Sequence, residues 1–384
     1  DSGTENSPIV YQPYNGEKVQ FIGGVKIHNS KVSRVTDVSI LNRVLDDYAR
    51  TQLMQIDLSD VPGEIDPVWD YGFGINDTNH DEPGQPPNGL HKAYKNYKAL
   101  EVYIGGVALK KSRWPNDEPG AGYVMTGKAT SHATEYKTRP FTVEYTDTDN
   151  RTARWSPEAV KDLYITGFIG NDWAGVTHKI STLDTEDKKL TSVLGTSYRP
   201  TSDHRLYFFN LIEEIDMPGE SYIDRENKIV YFYPANDVEK EDIIVSTLED
   251  DMFQFNNVSN VTVKDLNIGY TRGSSINAKN VSNFTIDGVT AAHTSSNAIT
   301  ISGTNSTVKN SHIYDTASGG LSINGGDRMT LTDGHMLAEN NRLHSVTRVY
   351  NSYKPALDMD GVGTTARNNE IYDGPHEIVT MDGN

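Results

Sequence analysis

The sequence predicts an all-β chain: a right-handed parallel β-helix (solenoid) with an inserted β-rich domain and one short amphipathic helix. First, short apolar segments recur along the sequence, and their equivalent residues Val263, Ile286 and Val308 are 23 and then 22 residues apart. Second, no helical period appears in residues 255–384. Third, these segments are rich in Val, Ile and Thr, which favour strands, and are separated by Asn, Gly, Ser and Asp, which favour turns. Such a fixed period is typical of a solenoid.

A second row of short strands runs in phase with the first and predicts the core of the coils. It comprises residues 298–302, 320–324, 356–360 and 378–382. Successive side chains of a strand point to opposite faces. Alternate residues should therefore stack inside the solenoid, namely Ile299, Ile301, Leu321, Ile323, Leu357, Met359, Val379 and Met381. Asn recurs where these strands begin, and there we expect turns and stacked amide ladders.

Four segments are predicted along the chain. They are early β-helix coils at 1–30, a helix and long loop at 31–99, the inserted β-rich domain at 100–245, and parallel β-helix coils with the candidate active site at 246–384. Within the second segment, apolar residues at 37–50 have helical spacing. Residues 62–97 are rich in Pro, Gly, Asn and Asp, which predicts a surface loop.

The composition limits the binding partners and the cellular location that can be expected for the protein. The net charge is −18 and the basic residues are dispersed, so we expect neither nucleic acid nor an anionic membrane as a partner. The chain has no cysteine, which excludes disulfides and thiolate metal sites. Acidity, the lack of cysteine and a turn-rich solenoid favour a secreted bacterial protein, extracellular or periplasmic. Because an apolar strand lies at the last coil, we expect further chain or a second polypeptide to cover it.

Three acids on neighbouring strands are the strongest candidates for chemistry. Asp358 and Asp360 alternate on one strand, and Asp382 follows Asp360 by one coil. By strand and coil spacings, Asp360 and Asp382 should lie within roughly 5 Å, and Asp358 about 7 Å from Asp360. Like charges placed directly opposite each other destabilise a sheet, which favours a functional reason for the cluster.

The cluster suits two reactions. A glycoside hydrolase needs a carboxylic acid and a carboxylate, about 5–5.5 Å apart for retention or about 6.5–9.5 Å for inversion, and mutual repulsion would raise the pKa of one acid. This enzyme requires no cofactor. A polysaccharide lyase would instead bind Ca²⁺ through Asp358, Asp360 and Asp382, and would abstract a proton with Lys, Arg, His or Tyr. A non-catalytic carbohydrate-binding or adhesin solenoid is the third alternative.

One long loop is expected to form the wall of this site. Leu321 to Leu357 spans 36 residues where the preceding repeat took 22, so extra chain leaves the coil. Tyr in such a loop can stack on sugar rings and Arg can bind carboxylates. The candidate substrate-binding residues are Asp327, Arg328, His344, Arg348, Tyr353 and Lys354. His376, in the next coil, is a further catalytic candidate.

Several segments carry a family resemblance. They are Ser112-Arg113-Trp114-Pro115-Asn116, Glu213-Glu214-Ile215-Asp216-Met217-Pro218-Gly219-Glu220, Tyr231-Phe232-Tyr233-Pro234, Gly325-Gly326-Asp327-Arg328, Tyr353-Lys354-Pro355-Ala356, Asp360-Gly361-Val362-Gly363 and Asp373-Gly374-Pro375-His376. Together they resemble a large bacterial family of secreted right-handed parallel β-helix repeat proteins with an inserted β domain, which includes glycoside hydrolases of the fucosidase and xylanase type. The resemblance implies site positions at Asp327, Arg328, His344, Asp360 and His376.

The sequence therefore predicts an extracellular glycoside hydrolase that cleaves a plant or microbial polysaccharide or oligosaccharide. Asp360 and either Asp382 or Asp358 form the expected carboxylate pair. A Ca²⁺-dependent polysaccharide lyase and a carbohydrate-binding solenoid remain the alternatives.

Overall fold

The computed structural model describes residues 1–63, 65, 71–72, 98–130, 140–193, 195–196, 198–350 and 352–382, with the backbone alone for 71, 72 and 382. The chain forms two compact units. The solenoid unit comprises Asp1–Val25, Tyr97–Glu101 and Ile244–Asn384, and the inserted unit comprises Lys26–Asn96 and Val102–Ile243. Residues 31–99 thus fall mainly within the inserted unit. Most of the loop predicted at 62–97 lies outside the described residues.

The solenoid unit is a stack of coils with three strand faces, along which strands of successive coils pair in parallel. Face 1 contains Phe253–Asn256, the start of Ile276–Asp287, Ile299–Thr304, Leu321–Gly325, Leu357–Gly361 and Val379–Asp382. Face 2 contains Ile9–Tyr11, Ser259–Lys264, the end of Ile276–Asp287, Thr307–Lys309, Leu337–Glu339 and Thr365–Arg367. Face 3 contains Gln20–Ile22, Asn267–Thr271, Thr290–Thr294, His312–Thr316, Arg342–His344 and Glu370–Tyr372. The parallel β-helix predicted from the repeat is confirmed.

The predicted apolar columns form the core of the solenoid, with one exception at the last coil. Leu357 and Met359 are 1% and 7% exposed and stack in register on the preceding coil. Val379 and Met381 continue the same columns but are 43% and 75% exposed, so their predicted burial is wrong. Their strand pairs on one side only among the described residues, and no further coil there covers them.

Asparagines turn the chain at the corners of the coils. Asn257, Asn260, Asn280 and Asn283 all adopt left-handed backbone with φ between 50° and 55°, a conformation that Asn tolerates better than most residues. Nδ2 of Asn280 donates to Oδ1 of Asn257 at 3.3 Å, and Nδ2 of Asn283 donates to Oδ1 of Asn260 at 3.2 Å. The expected amide ladder is therefore present.

Among the described residues, the inserted unit contains an eight-stranded sheet and a five-stranded sheet. The eight-stranded sheet contains Tyr71–Gly72, Arg113–Trp114, Val124–Thr130, Thr142–Tyr145, Tyr164–Gly167, Val176–Asp184, Lys189–Ser192 and Arg205–Phe209. The five-stranded sheet contains Val32–Arg34, Met54–Asp57, Lys110–Lys111, Glu220–Asp224 and Ile229–Phe232. Four other strands lie close in sequence to the points where the chain passes between units: Gly24–Ile27, Val102–Ile104, Val107–Ala108 and Ile243–Ser246. Short 3₁₀ helices are formed by Asn29–Lys31, Thr152–Arg154, Pro157–Asp162, Ile212–Glu214 and Val238–Lys240.

The single helix predicted at 37–50 is wrong, because two short α-helices occupy the segment, Val38–Leu41 and Asp47–Gln52. The carboxylate of Asp46 accepts a hydrogen bond from the backbone N–H of Ala49 at 2.7 Å and caps the second helix. An N-cap residue has extended backbone, so Asp46 interrupts the helix that apolar spacing alone predicts. No helix in the described parts of the chain is long and apolar enough to cross a membrane.

Buried charges anchor the family-like segment at 213–220. Glu214 is fully buried and accepts hydrogen bonds from Nε and Nη2 of Arg151, each at 2.8 Å. Glu213 is also fully buried and accepts from Nε of Arg43 at 2.9 Å and from the Ser156 hydroxyl at 2.6 Å. These pairs satisfy both carboxylates, so the two glutamates have a structural role.

A second buried titratable group lies in the core of the eight-stranded sheet. His178 is 1% exposed, and its ring centre lies 5.1 Å from that of Phe141. Among the described residues, neither of its ring nitrogens has a hydrogen-bond partner. Burial lowers the pKa of His178 to about 4, so the imidazole is neutral at physiological pH.

Candidate active site on face 1

Two loops leave the solenoid beside face 1. Residues 326–336 join face 1 to face 2, and residues 345–356 join face 3 to face 1. The prediction of one long loop over the acids is wrong, because the extra chain is divided between the two ends of face 1. The outward surface of face 1 is therefore flanked by a loop at each end.

Asp360 is held in one orientation by three donors. Nδ2 of Asn324, its neighbour in register on the preceding coil, donates to Oδ2 at 2.9 Å. The backbone N–H of Gly361 donates to Oδ1 at 2.7 Å. Nη2 of Arg328, from the loop 326–336, forms an ion pair with the same oxygen. The carboxylate still has an exposed fraction of 39%, so a ligand can reach it.

The glycine after Asp360 permits this arrangement. Gly361 has φ +94°, and a Cβ at this position would clash with the carbonyl oxygen of Gly325. The next residue, Val362, donates its N–H to that oxygen at 2.7 Å and accepts from the N–H of Gly334 at 2.9 Å. The segment that follows Asp360 thus lies against the base of the loop that carries Arg328.

Asp358 lies on the same strand as Asp360 and points to the same side, about 7 Å away by strand geometry. Its Oδ2 accepts a hydrogen bond from the Ser322 hydroxyl at 3.1 Å. The ammonium group of Lys354, from the loop 345–356, interacts with the Asp358 charge. Burial lowers the pKa of Lys354, and Asp358 partly opposes this effect. Nζ of Lys354 also lies 5.2 Å from the ring centre of Tyr350, in cation–π range.

Asp382 occupies the predicted place in the backbone. It pairs in register with Asp360, as Thr380 does with Asp358. Its side chain lies outside the described residues, so the close approach of the Asp360 and Asp382 carboxylates stays a prediction.

A further carboxyl, which the repeat pattern does not predict, belongs to this surface. Oε2 of Glu377 accepts a hydrogen bond from the hydroxyl of Thr380 at 3.3 Å. Because neighbouring strands are about 4.8 Å apart, the Glu377 carboxyl lies within roughly 8 Å of Asp358. The alternation of outward residues on the face 1 strands could not reveal Glu377, because this residue lies in the turn before the last of these strands. Its position three residues before an outward threonine is the only sequence signal.

His376 and Tyr353 lie together at the same end of face 1. The backbone N–H of Tyr353 donates to Nδ1 of His376 at 3.4 Å, and their ring centres are 5.3 Å apart. Both side chains are exposed. Their roles in catalysis and substrate binding stay predictions.

Asp327 turns its carboxylate into its own loop. Oδ1 accepts hydrogen bonds from the N–H groups of Met329 at 2.8 Å and Thr330 at 3.4 Å. These bonds hold the pKa of Asp327 below its ordinary value. Its visible role is to shape the turn that presents Arg328, the next residue, to Asp360.

His344 is not brought to the acids, because its strand lies on face 3. Its ring stacks between those of Tyr314 and Tyr372, with centres 5.4 and 4.9 Å away. Its Nε2 lies 2.8 Å from Nε2 of His312. Burial lowers the pKa of both histidines. The predicted grouping of His344 with Asp360 is therefore wrong.

Arg348 is occupied by an internal ion network. Its Nη1 and Nη2 donate to the two carboxylate oxygens of Glu101 at 3.0 and 3.2 Å, and its Nε forms an ion pair with Asp315. Nδ1 of His293 lies 2.5 Å from Oδ2 of Asp315. Burial alone would raise the pKa of Asp315, but the His293 hydrogen bond and the Arg348 charge bring it below its ordinary value. The prediction that Arg348 binds substrate at the acids is corrected to a structural role.

Within the described part of the chain, no three His, Asp or Glu side chains are grouped as a metal site. The calcium alternative requires the side chain of Asp382, which is outside that part. It stays a prediction.

One family of known proteins and one solved structure share the fold of this chain. The family "Right handed beta helix region" matches residues 251–337. A solved structure described as "Glycoside hydrolase" has a TM-score of 0.54 and 11% identity, covering 97% of this chain and 86% of its own. A second, "The complex structure of XylC with xylose", has a TM-score of 0.41 and 11% identity, covering 100% of this chain and 56% of its own. No curated protein matches. The chain is therefore a right-handed parallel β-helix protein with the fold of a solved glycoside hydrolase.

Proposed function

We propose that the protein is a glycoside hydrolase that acts on a polysaccharide or oligosaccharide along face 1. The observation that carries the proposal is the oriented carboxylate of Asp360, with the Asp358 carboxyl on the same strand and a flanking loop at each end. A separation of about 7 Å from strand spacing falls within the range of about 6.5–9.5 Å that leaves room for a water in inverting enzymes. The likeness in fold to a glycoside hydrolase supports the same class.

Asp360 is the proposed base or nucleophile. Its three donors, from Asn324, Gly361 and Arg328, fix the direction of the carboxylate. A fixed orientation lowers the barrier for a carboxylate that activates a water molecule or attacks a sugar carbon.

The proton donor is one of three carboxyls. Asp358 has the Lys354 ammonium as a neighbouring cation. Glu377 has the Thr380 hydroxyl as its partner and no cationic partner among the described residues. Since the donor must deliver a proton to the leaving oxygen, we place Glu377 first, with Asp358 and Asp382 as the other candidates.

A substrate screen tests the proposal. The protein is incubated with neutral and acidic polysaccharides while new reducing ends and absorbance from unsaturated products are followed together. We expect reducing ends without unsaturated products, and a loss of turnover of at least ~10²-fold for Asp360→Asn. Glu339→Gln is the matched control, because Glu339 forms an outward ion pair with Arg367 on face 2 at 2.8 Å. Near-normal turnover by folded Asp360→Asn would place the chemistry elsewhere.

A Ca²⁺-dependent polysaccharide lyase is the second candidate, and one observation favours it. Lys354 is a partly buried amine whose pKa is lowered by burial, and it lies beside an acid that the lyase hypothesis assigns to calcium. An amine with a lowered pKa can abstract a proton next to a carboxyl group. Unsaturated products that disappear in Lys354→Met would support this reaction over hydrolysis.

The proposal also covers the cellular location of the protein and its binding partner. We propose a secreted or periplasmic bacterial enzyme whose partner is its carbohydrate substrate. Cell fractionation of the native host, with antibody against the protein, tests the location.

A further inference from the structure

The inserted unit carries an exposed aromatic pair that the face 1 site does not use. Trp173 is 39% exposed, and its ring centre lies 5.0 Å from that of Tyr198 in an edge-to-face arrangement of 71°. Tryptophan is highly buried on average. The other two described tryptophans, Trp114 and Trp155, follow that tendency, and both pack in the core of the unit. The exposure of Trp173 therefore calls for a reason.

The pair sits on two loops that are fastened to each other. The N–H of Phe168 donates to the carbonyl oxygen of Arg205 at 2.8 Å, and the N–H of Thr201 donates to that of Ile169 at 3.0 Å. Gly170 lies so close to the second loop that a Cβ would come within 2.8 Å of the carbonyl oxygen of Arg199. The aromatic surface is thus held in place before any ligand binds, which lowers the entropy lost on binding.

Polar groups border the same surface. The carboxylate of Asp172, next to Trp173, is 70% exposed and lies 3.3 Å from Nδ1 of His204 and 4.0 Å from Nη2 of Arg205. The Arg205 guanidinium lies over the ring of Phe168, 5.1 Å from its centre. A carboxylate acceptor and a guanidinium donor therefore stand beside an exposed indole.

This combination matches the chemistry of a pyranose ring. One face of such a sugar presents C–H groups, which pack on an aromatic ring, and its edge presents hydroxyls that both donate and accept hydrogen bonds. The Asp172 and Arg205 charges offset each other, so this surface has no excess positive charge to attract a uronate, and the net charge of −18 on the chain disfavours a polyanion. We infer that Trp173, Tyr198, Asp172 and Arg205 form a non-catalytic binding surface for a neutral polysaccharide. This surface is independent of the proposed hydrolase function.

Affinity electrophoresis tests the inference directly. Asp360→Asn protein, used so that the matrix survives, is run through native gels that contain xylan, mannan, mixed-linkage glucan or polygalacturonate. We expect retardation by at least one neutral polysaccharide and none by polygalacturonate. Adding Trp173→Ala should weaken the apparent affinity at least tenfold, and Asp172→Asn should weaken it less. Tyr48→Ala is the control, because Tyr48 is an aromatic of the same unit with 66% exposure.

Three results would overturn the inference. The first is that no neutral polysaccharide retards the protein. The second is retardation that Trp173→Ala leaves unchanged or that Tyr48→Ala reduces equally. The third is a Trp173-dependent shift in gels without polysaccharide, which would indicate that the surface binds a second copy of the chain. Wild-type turnover in the substrate screen is measured separately, so failure of the proposed hydrolase reaction and failure of this surface give different results.

Discussion

The buried imidazole of His178 gives the inserted unit a pH-dependent stability whose size can be worked out. The folded pKa is about 4, against an unfolded value of about 6.5. Because the unfolded state binds the proton more tightly than the folded state, the stability that depends on a neutral His178 is fully present above pH 6.5. It is lost as the pH falls towards 4. For one such group, the free energy of unfolding should fall by about 2 kcal/mol between pH 7 and pH 5.

Urea unfolding at pH 7 and pH 5 measures this effect. All four tryptophans lie between residues 69 and 173, within the ranges of the inserted unit, so their fluorescence reports its unfolding. The difference in free energy between wild type and His178→Leu should shift by about 2 kcal/mol between the two pH values, in favour of the variant at pH 5. Leu206→Ala changes the same core without removing a titrating group, and its cost should not depend on pH. An equal cost for His178→Leu at both pH values would refute the reasoning.

Three further predictions concern the solenoid unit. Glu377→Gln should slow aryl glycosides with poor leaving groups by at least ~10²-fold and largely spare good leaving groups, since only the former need a proton donor; equal losses across a leaving-group series would contradict that role. Arg348→Met leaves the buried Glu101 carboxylate without the cation that pairs with it and leaves the partly buried Asp315 with His293 as its ion-pair partner, so the free energy of unfolding should fall by about 3–5 kcal/mol. Far-UV circular dichroism in urea checks this value, and a loss of a few tenths would contradict it. Chelation with EDTA should leave hydrolase turnover unchanged, whereas loss restored by Ca²⁺ would favour the lyase.

The coils could be predicted from the sequence because their signal is local and repeated. Alternation at Ile299 and Ile301 recurs at Leu321 and Ile323 in the next coil, and parallel pairing keeps these positions in register. The same signal cannot show what covers a strand, so it assigned burial to Met381 as well. Burial there depends on a neighbouring coil and not on the residue's own pattern.

The site was harder to predict because its contacts join distant parts of the chain. Arg348 and Glu101 are 247 residues apart, and no spacing rule relates a loop of the solenoid to that position. The interval from Leu321 to Leu357 predicted how much extra chain leaves the coil. It could not predict that this chain is divided between the loops 326–336 and 345–356. The loop interval and the family resemblance both placed Arg328 near the acids, but neither predicted its ion pair with Asp360.

The strands on either side of the loop 326–336 pair as if the loop were absent. Leu321 lies beside Ile299 and Leu337 beside Thr307, in the same register as in the shorter coil before them. A change of length at this corner is therefore not transmitted to the coils above and below. Under the proposed function, the segment that presents Arg328 can therefore change in length and sequence, and the substrate preference can change with it, while the strand pairing of the coils is kept.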